Sequence, residues 1–469
     1  MRIYNTLTRK VDDLTPLNPP KTTVYTCGPT VYDYAHIGHW FTYVRWDLLI
    51  RALRTNGFEP EWVMNVTDVG HLVSDADEGE DKLEKGARRE GTTAWEVARK
   101  YTDDFLECMK LLNITEPGIM PRATDHITEQ IDLIKALEAK GFTYTIDDGV
   151  YYDTAKFTKY ADFAQLDLEE QQAGARVEFN PQKHNPTDFA LWKFSPKDQT
   201  RDMEWDSPWG KGFPGWHIEC SAMSMKYLGD TLDIHTGGID HVPVHHTNEI
   251  AQSEAVTGKP FAKVWMHSNH VMVNGEKISK SLGNGIRLQE IAAKGFSPQV
   301  VRLHILESHY RSQSKFSWES LQAAQNRLQN FQAMADLRFQ LSSNNREAID
   351  FDFDSAKELI GRALSNDLNT PEVLAALSAT EQFVAAHIPG EQQYDEFKTF
   401  LQYVDDSLGL QLLSSQDITD EQKQLIKERQ TARDAKDWAK SDELRDTLAE
   451  QGISVRDTPD GTIWSRIEI

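Results

Sequence analysis

A strand, a helix and a second strand near the N-terminus restrict the fold more than any other feature of the chain. Thr22 to Thr26 (T-T-V-Y-T) reads as a short strand, Gly28-Pro29 as a turn, and the segment from about Gly38 through Leu53 as a helix that Gly57 terminates. Glu61 to Val66 (E-W-V-M-N-V) predicts the second strand. This order opens a parallel βαβ unit, because parallel neighbours need a crossover long enough for a helix. Strand-like pieces at Leu232-Asp233-Ile234 and Val264-Trp265-Met266 predict that the same sheet resumes much later. What lies between, roughly Thr124 to Pro214, is then an insertion. Its helical stretch at Ile127 to Lys140 and its strand-like bits such as Val150-Tyr151-Tyr152 predict a small α+β subdomain.

From Ser317 onward the pattern becomes helical, with Leu321, Ala324, Leu328, Phe331 and Met334 on one face at three- and four-residue steps. Ser342-Ser343-Asn344-Asn345 breaks it, and Thr370-Pro371 supplies a cap and a first-turn proline for a later helix. Thr419 with Gln422 resembles a capping box. The helix it starts is expected to carry Arg429, Arg433, Lys436 and Lys440 on one stripe. A solvated face explains that stripe more simply than a basic track, since acidic residues crowd the same helix.

The 469 residues leave room for several domains of roughly 100–200 residues each. No apolar run reaches the length of a membrane span, and Met1-Arg2-Ile3-Tyr4 lacks the grammar of a signal peptide, so the expectation is a soluble cytoplasmic protein with no membrane partner. Three cysteines, Cys27, Cys108 and Cys220, stand far apart, which rules out a disulfide framework and a C-x-x-C zinc knuckle. The net charge of -23 argues against indiscriminate coating of nucleic acid but leaves room for a local basic track.

Two segments have the makings of a phosphate site. His36-Ile37-Gly38-His39 falls at the start of the first expected helix, where unpaired N–H groups and the helix dipole favour an anion, and the glycine lets a nucleotide lie against its backbone. On its own such a short motif is more often a capping or surface pair. Lys277-Ile278-Ser279-Lys280-Ser281, ahead of Leu282-Gly283-Asn284, gathers two ammonium groups and two hydroxyls on a glycine-flanked segment suited to a developing pyrophosphate. A solvated turn explains it equally well. Elsewhere, Glu249 follows His245 by four residues, so both point from one helix face and can share an ion, with Cys27 and Cys220 to complete a ligand set. Two buried, inert cysteines are the plainer account, because free cysteine is among the most buried residue types. Cys108 reads as helix packing, and Trp216 as core or as an apolar wall.

The two phosphate-type segments, in this order, resemble the signature motifs of class I aminoacyl-tRNA synthetases. The resemblance runs through Cys27-Gly28-Pro29-Thr30-Val31-Tyr32, Pro121-Arg122-Ala123-Thr124, Gly215-Trp216-His217-Ile218-Glu219-Cys220, Gly237-Gly238-Ile239-Asp240 and His245-His246-Thr247-Asn248-Glu249-Ile250. Together these look like the cysteinyl-tRNA synthetase family specifically, from near the N-terminus to the last helix. The resemblance implies one zinc ion held by Cys27, Cys220, His245 and Glu249, with His246 outside the set, and a substrate thiol that joins the metal while a serine hydroxyl does not. It implies His36, His39, Lys277 and Lys280 as the charge-stabilising residues of catalysis. Thr30, Gly38, Trp216, Gly238 and Asp240 are then further contacts to ATP, beside His36, His39 and Lys280. Its substrates would be L-cysteine, ATP with magnesium, and tRNA(Cys), handled by a monomer.

The fold class implied is α/β: a Rossmann-like parallel-sheet catalytic domain with an inserted α+β subdomain, followed by a mostly α-helical C-terminal half. The expected divisions are a first catalytic half at 1–123, the insertion at 124–214, a second catalytic half with the zinc ligands at 215–258, a lysine-loop region at 259–316, a helical bundle at 317–417 and an anticodon-binding module at 418–469. Arg429, Arg433, Lys436, Lys440 and Trp464-Ser465-Arg466 offer that module phosphate contacts and a ring for an unpaired base. One departure from the family stands out. After Asn65-Val66-Thr67-Asp68, where a short acidic pair is usual, Gly70 to Asp81 forms a longer acidic loop, read as solvated. Two alternatives remain at this point: a ligase that passes cysteine to an amino sugar, as in the mycothiol pathway, and a non-catalytic tRNA-binding paralogue. The long helical C-terminus argues against the first and the intact motifs against the second.

Overall fold

The computed structural model describes residues 1–70, 81–166, 180–196, 200–278, 283–340, 350–458 and 461–467. A hairpin of β1 (Arg2–Asn5) and β2 (Lys10–Asp13) precedes β3 (Lys21–Thr26), α1 (Ile37–Thr55) and β4 (Glu59–Met64). β3 and β4 pair in parallel from Lys21 opposite Glu59 to Thr26 opposite Met64. The expected βαβ unit is present, with the second strand starting two residues early. Asn56 closes α1 and Gly57 follows at φ 79, a left-handed turn that glycine enters without strain.

The sheet does resume. β9 (Leu232–Gly238) lies beside β3 and β10 (Ala262–Ser268) beside β9, all parallel, giving the order β10-β9-β3-β4. Helices α2 (Lys82–Glu90) and α3 (Ala94–Leu111) follow β4. The inserted chain contributes α4 (Ile127–Ala139) and an antiparallel sheet of β5 (Thr143–Ile146), β6 (Gly149–Tyr152), β7 (Phe189–Phe194) and β8 (Gly212–Pro214) in sequence order. Tyr152 stacks on Phe142 and Phe189 to fill its inner face. α5 (Trp216–Leu228) and α6 (Thr247–Thr257) return the chain to the parallel sheet. β11 (Val271–Val273), β12 (Glu276–Lys277) and β13 (Ser314–Phe316) make a small sheet, with α7 (Leu288–Ala292) and α8 (Pro298–Leu306) between its last two strands.

The C-terminal half is helical: α9 (Trp318–Asp336), α10 (Phe353–Ser365), α11 (Thr370–Ala386), α12 (Tyr394–Leu408), α13 (Asp420–Asp434) and α14 (Trp438–Glu450), then a hairpin of β14 (Ile453–Thr458) and β15 (Gly461–Arg466). α1 is the axis of the molecule. It touches β4, β9 and β10 on one side and α8, α10 and α12 on the other. Trp40, Phe41, Trp46, Leu49, Ile50 and Leu53 are therefore all buried. Each such side chain contributes roughly 1.5–3 kcal/mol of burial. Charge is buried here too: Asp47 accepts from Arg51 at 2.7 Å, from Thr115 N at 2.8 Å and from the fully buried Arg302, which also donates to Leu112 O and Leu408 O.

Several helix signals are where the sequence puts them. Ser317 caps α9, whose Leu321, Ala324, Leu328, Phe331 and Met334 are buried, and Thr419 forms the capping box with Gln422. Thr370 does not cap its helix. Asn369 does, accepting from Glu372 N, and Thr370 is already helical, with Pro371 in the first turn. The break expected at Ser342 to Asn345 lies outside the described residues.

The basic stripe is a clear miss. α13 ends at Asp434 and Lys436 turns the chain at φ 58, so Lys440 belongs to the next helix, after its cap Asp437. Arg429 is buried in a two-point pair with Asp457 at 2.7 and 2.9 Å, joined by Arg433 at 3.1 Å. Trp464 is buried among Ile418, Leu448 and Ile453, and Arg466 pairs with Asp336. Arg429, Trp464 and Arg466 thus hold the final hairpin on the helices.

The Arg429 hydrogen bonds, helped by Thr462 and Arg433, lower Asp457 to about 2 against the effect of burial. A depressed carboxylate adds stability above its unfolded pKa, near 3.8, and loses it as pH falls through the folded value. Acid titration followed by tryptophan fluorescence should show the hairpin releasing between about pH 4 and 2. In Asp457→Asn the release should no longer follow that window.

Candidate active site and metal centre

The carboxyl ends of the parallel strands meet where the chain leaves β3 in one direction and β9 lies on the other side, the crevice in which open α/β sheets hold ligands. Cys27 follows β3, Asn65 follows β4, Gly238 ends β9 and Ser268 ends β10. Here the backbones run close. A Cβ on Gly28 would lie 1.5 Å from Asn65 O, and one on Gly237 would lie 2.6 Å from His246 Cε1. A cleft of about 370 Å³ opens above them. The expected nucleotide residues Thr30, His36, Gly38, His39, Trp216, Gly238 and Asp240 line it, as does Lys277, expected to stabilise charge in catalysis. So do the metal candidates Cys27, Cys220 and His245. Lys280 lies outside the described residues, while Lys277 is exposed at the end of the β11–β12 hairpin.

The histidine pair is both cap and lining. His36 precedes α1 in extended conformation, its Nδ1 accepting from Gly38 N at 3.2 Å, and His39 Nδ1 accepts from His36 N at 3.1 Å. With Nδ1 an acceptor in both rings, the neutral imidazoles carry hydrogen on Nε2, which makes two donors at a helix N-terminus. Gly38 is needed for this packing: a Cβ would press on the His36 ring at 3.0 Å and on Ile278 at 3.1 Å.

At the β3 end, Cys27, Cys220, His245 and Glu249 bring one donor atom each to within 4.8 Å of one another, all buried. Three features make this more than a packing accident. His245 Nε2 lies 2.7 Å from Glu249 Oε1, so an imidazole nitrogen and a carboxylate oxygen are held together at one buried point. Glu249 is fixed by His235, whose Nε2 meets Oε2 at 2.6 Å. Burial would raise Glu249, but the charges of His235 and His245 hold it well below the usual carboxylate range. Burial would likewise lower His245, and Glu249 with Cys220 instead lifts it to about 10. Burial and Cys220 push the Cys27 thiol up, while the hydrogen bond from Cys27 brings Cys220 down. Two sulfurs, an imidazole nitrogen and a carboxylate oxygen can together hold one metal ion.

A second grouping, Cys27 with His235, His246 and Glu249, shares two of these donors. His246 is engaged on both nitrogens, by Cys27 Sγ at 3.4 Å and His267 at 2.8 Å, and burial among histidines holds it far below its usual pKa. It supports the cluster from behind.

Sequence reasoning missed Tyr32, Thr67 and Lys82, which also line the cleft. The run Asn65 to Asp68 hinted at this wall, but only the pairing of Thr67 with Thr30 brings it to the site. Most of the acidic loop, residues 71–80, lies outside the described residues. Its flanks are tied: Asp81 caps α2, pairs with Arg201 and lies so close to Gly70 that a Cβ there would meet its carboxylate at 2.1 Å. Cys108 packs in the α3 core, as expected.

The fold is that of the class I aminoacyl-tRNA synthetases. The chain superposes on Mycobacterium tuberculosis methionyl-tRNA synthetase in complex with methionyl-adenylate, with a TM-score of 0.59 and 15% identity over 83% of this chain and 92% of that one. Residues 13–326 match the tRNA synthetases class I (C) catalytic domain, and residues 415–464 the cysteinyl-tRNA ligase anticodon binding domain. Cysteine–tRNA ligase 1 of Burkholderia lata is 46% identical, covering 98% of this chain and 96% of the relative. The cysteine–tRNA ligase of Treponema denticola is 41% identical over the whole of both chains, and that of Thermococcus onnurineus 39% over the whole of both. The chain belongs to the cysteine–tRNA ligase family, and it is an aminoacyl-tRNA ligase. Among the described residues no helix is long and apolar enough to cross a membrane.

Proposed function

We propose that this cleft activates L-cysteine with ATP, giving cysteinyl-adenylate and pyrophosphate, and then passes the cysteinyl group to the 3′ end of tRNA(Cys). The observation that carries the reading is the convergence of two thiols, an imidazole and a carboxylate on one buried point of the cleft that the His36–His39 pair also lines. Cys27, Cys220, His245 and Glu249 would hold a zinc ion, which suits a mixed set of sulfur, nitrogen and oxygen donors. Zinc supplies there a soft Lewis acid that takes a thiolate as ligand in preference to a serine hydroxyl. Trp216, its ring centroid 4.3 Å from that of His245, walls this end of the cleft and limits the side chain that fits. Pocket shape alone often separates close amino acids by only about 10–200-fold, so selection by sulfur removes the need for an editing site.

The rest is positioning. The cysteine carboxylate attacks the α-phosphate in line, and His36 and His39, donating from Nε2, together with the ammonium groups of Lys277 and Lys280 stabilise the charge growing on the departing pyrophosphate. Gly38 and Gly238 admit the nucleotide against the backbone, Thr30 contacts its phosphates and Asp240 accepts from its ribose. Magnesium accompanies ATP. No protein nucleophile is required. Cysteine-dependent ATP–pyrophosphate exchange, before and after zinc removal, tests this. Exchange indifferent to zinc removal counts against the metal reading, and lack of exchange with cysteine against the whole.

At the far end, the anticodon-binding match and one exposed ring support a contact to an unpaired base. Trp438, 55% exposed at the start of α14, has the Arg433 guanidinium 5.6 Å from its ring centroid. Stacking of a base on such a ring is worth about 1–3 kcal/mol. Trp438→Ala should raise the KM for tRNA by about tenfold in charging assays. A KM for tRNA equal to wild type would remove Trp438 from the interface.

A further inference from the structure

Arg45, on α1, is 1% exposed; its hydrogen bonds all go to neutral oxygens, and its guanidinium lies 5.2 Å from the centroid of the Phe41 ring. Nη1 donates to Ser268 Oγ at 2.8 Å and Asn269 O at 3.2 Å, and Nη2 to Ser308 Oγ at 3.1 Å and Ser314 Oγ at 2.5 Å. Nε has no partner. Among the described residues, no carboxylate pairs with this guanidinium. Asp367, reached from the neighbouring 308–311 turn, is already taken by Tyr4 N, Tyr310 and Arg311. An interior cation without an anion is costly, and buried charged groups of this kind cluster at functional sites. Burial lowers the guanidinium to about 9, still charged at neutral pH.

Its surroundings say where that charge is felt. Ser268 and Asn269, the residues it holds, line the cleft, as do Thr42 and Tyr43 on its own helix. α1 begins with the His36–His39 pair, and the β11–β12 hairpin that carries Lys277 starts two residues after Asn269. Ser314, its fourth partner, opens β13, which pairs with β11. One guanidinium thus joins the helix bearing the histidines to the sheet bearing the lysine.

We propose that Arg45 is a positioning residue whose unneutralised charge, seated behind the Ser268–Asn269 wall, favours the polyphosphate of ATP over an uncharged nucleoside in the same cleft. The proposal rests on the ATP site described above. In a medium of low polarity, screened little by salt, such a charge acts at distances where a surface lysine would not.

The quantity to measure is the ratio of affinities for ATP and adenosine, by calorimetry on the full chain. In Arg45→Met the ratio should fall about tenfold, with adenosine binding within twofold of wild type. Equal loss for both ligands would reduce Arg45 to a structural tie and overturn the proposal, as would an unchanged ratio. Should the methionine variant fail to melt cooperatively, Arg45→Lys keeps the charge with fewer donors. It should preserve the ratio within twofold even if it melts earlier, and a collapsed ratio there also overturns the proposal. Wild-type protein that binds no ATP would instead defeat the underlying assignment of the cleft.

Discussion

Replacing Cys27 and Cys220 together with serine is expected to lower cysteine-dependent ATP–pyrophosphate exchange by at least about 100-fold, since loss even of a supporting residue around a metal typically costs 10–100-fold. Zinc content, measured on the same preparation, should fall from one per chain to a trace. The serines are close in size, and both positions are buried, Cys27 just past β3 and Cys220 on α5, so the fold has little reason to change. What changes is donor chemistry, because a hydroxyl keeps its proton where a thiol yields one. A melting transition close to wild type would show that the loss belongs to the site. Exchange that survives in the double variant would show that sulfur ligands play no part in choosing the amino acid.

The second large effect lies in the protein's interior. Asp47→Ala should destabilise the chain by about 3–5 kcal/mol, because it leaves Arg302 buried and unpaired with its guanidinium between α1 and α12. The charges of Arg302 and Arg51 hold Asp47 at about 2 against the effect of burial, so the carboxylate is ionised at neutral pH. The double change Asp47→Asn with Arg302→Met should cost clearly less than Asp47→Ala, since it removes both charges at once. Denaturant unfolding monitored through the first transition checks both. Equal destabilisation by the single and double changes would mean that shape, rather than charge, decides at this position.

How much of this could be read from the chain depends on the range of the interactions. The βαβ opening and the α9 face were legible because they rest on local periodicity. The His36–His39 segment was legible as a helix start, and its capping and lining roles proved compatible. The metal cluster was another matter. Spacing alone ties Glu249 to His245, but Cys27 reaches them through the strand order β9-β3 and Cys220 through the packing of α5 on α6, which only resemblance could supply beforehand. The C-terminal basic residues failed for the complementary reason. Arg429 finds its partner 28 positions away in Asp457, and the Trp464 ring turns inward on a strand whose buried face no helical pattern reveals. The exposed ring, Trp438, sits in the same helical stretch without a local sign of its exposure. Arg45 was invisible as well, since an arginine two turns into a helix gives no notice that it will be buried, among the described residues, away from every carboxylate.

One consequence of the placement of α1 concerns how the protein can be divided. Its N-terminal residues line the catalytic cleft, and its body is covered by helices from the other half of the chain, with Arg302 bonded to the last carbonyl of α12 at Leu408. The catalytic half is therefore not an autonomous piece. A protein cut between β13 and α9 would expose much of the apolar surface around Trp46, Leu49 and Ile50 and take from Arg302 its bond to Leu408 O, so the catalytic cleft depends for its foundation on residues that never approach a substrate.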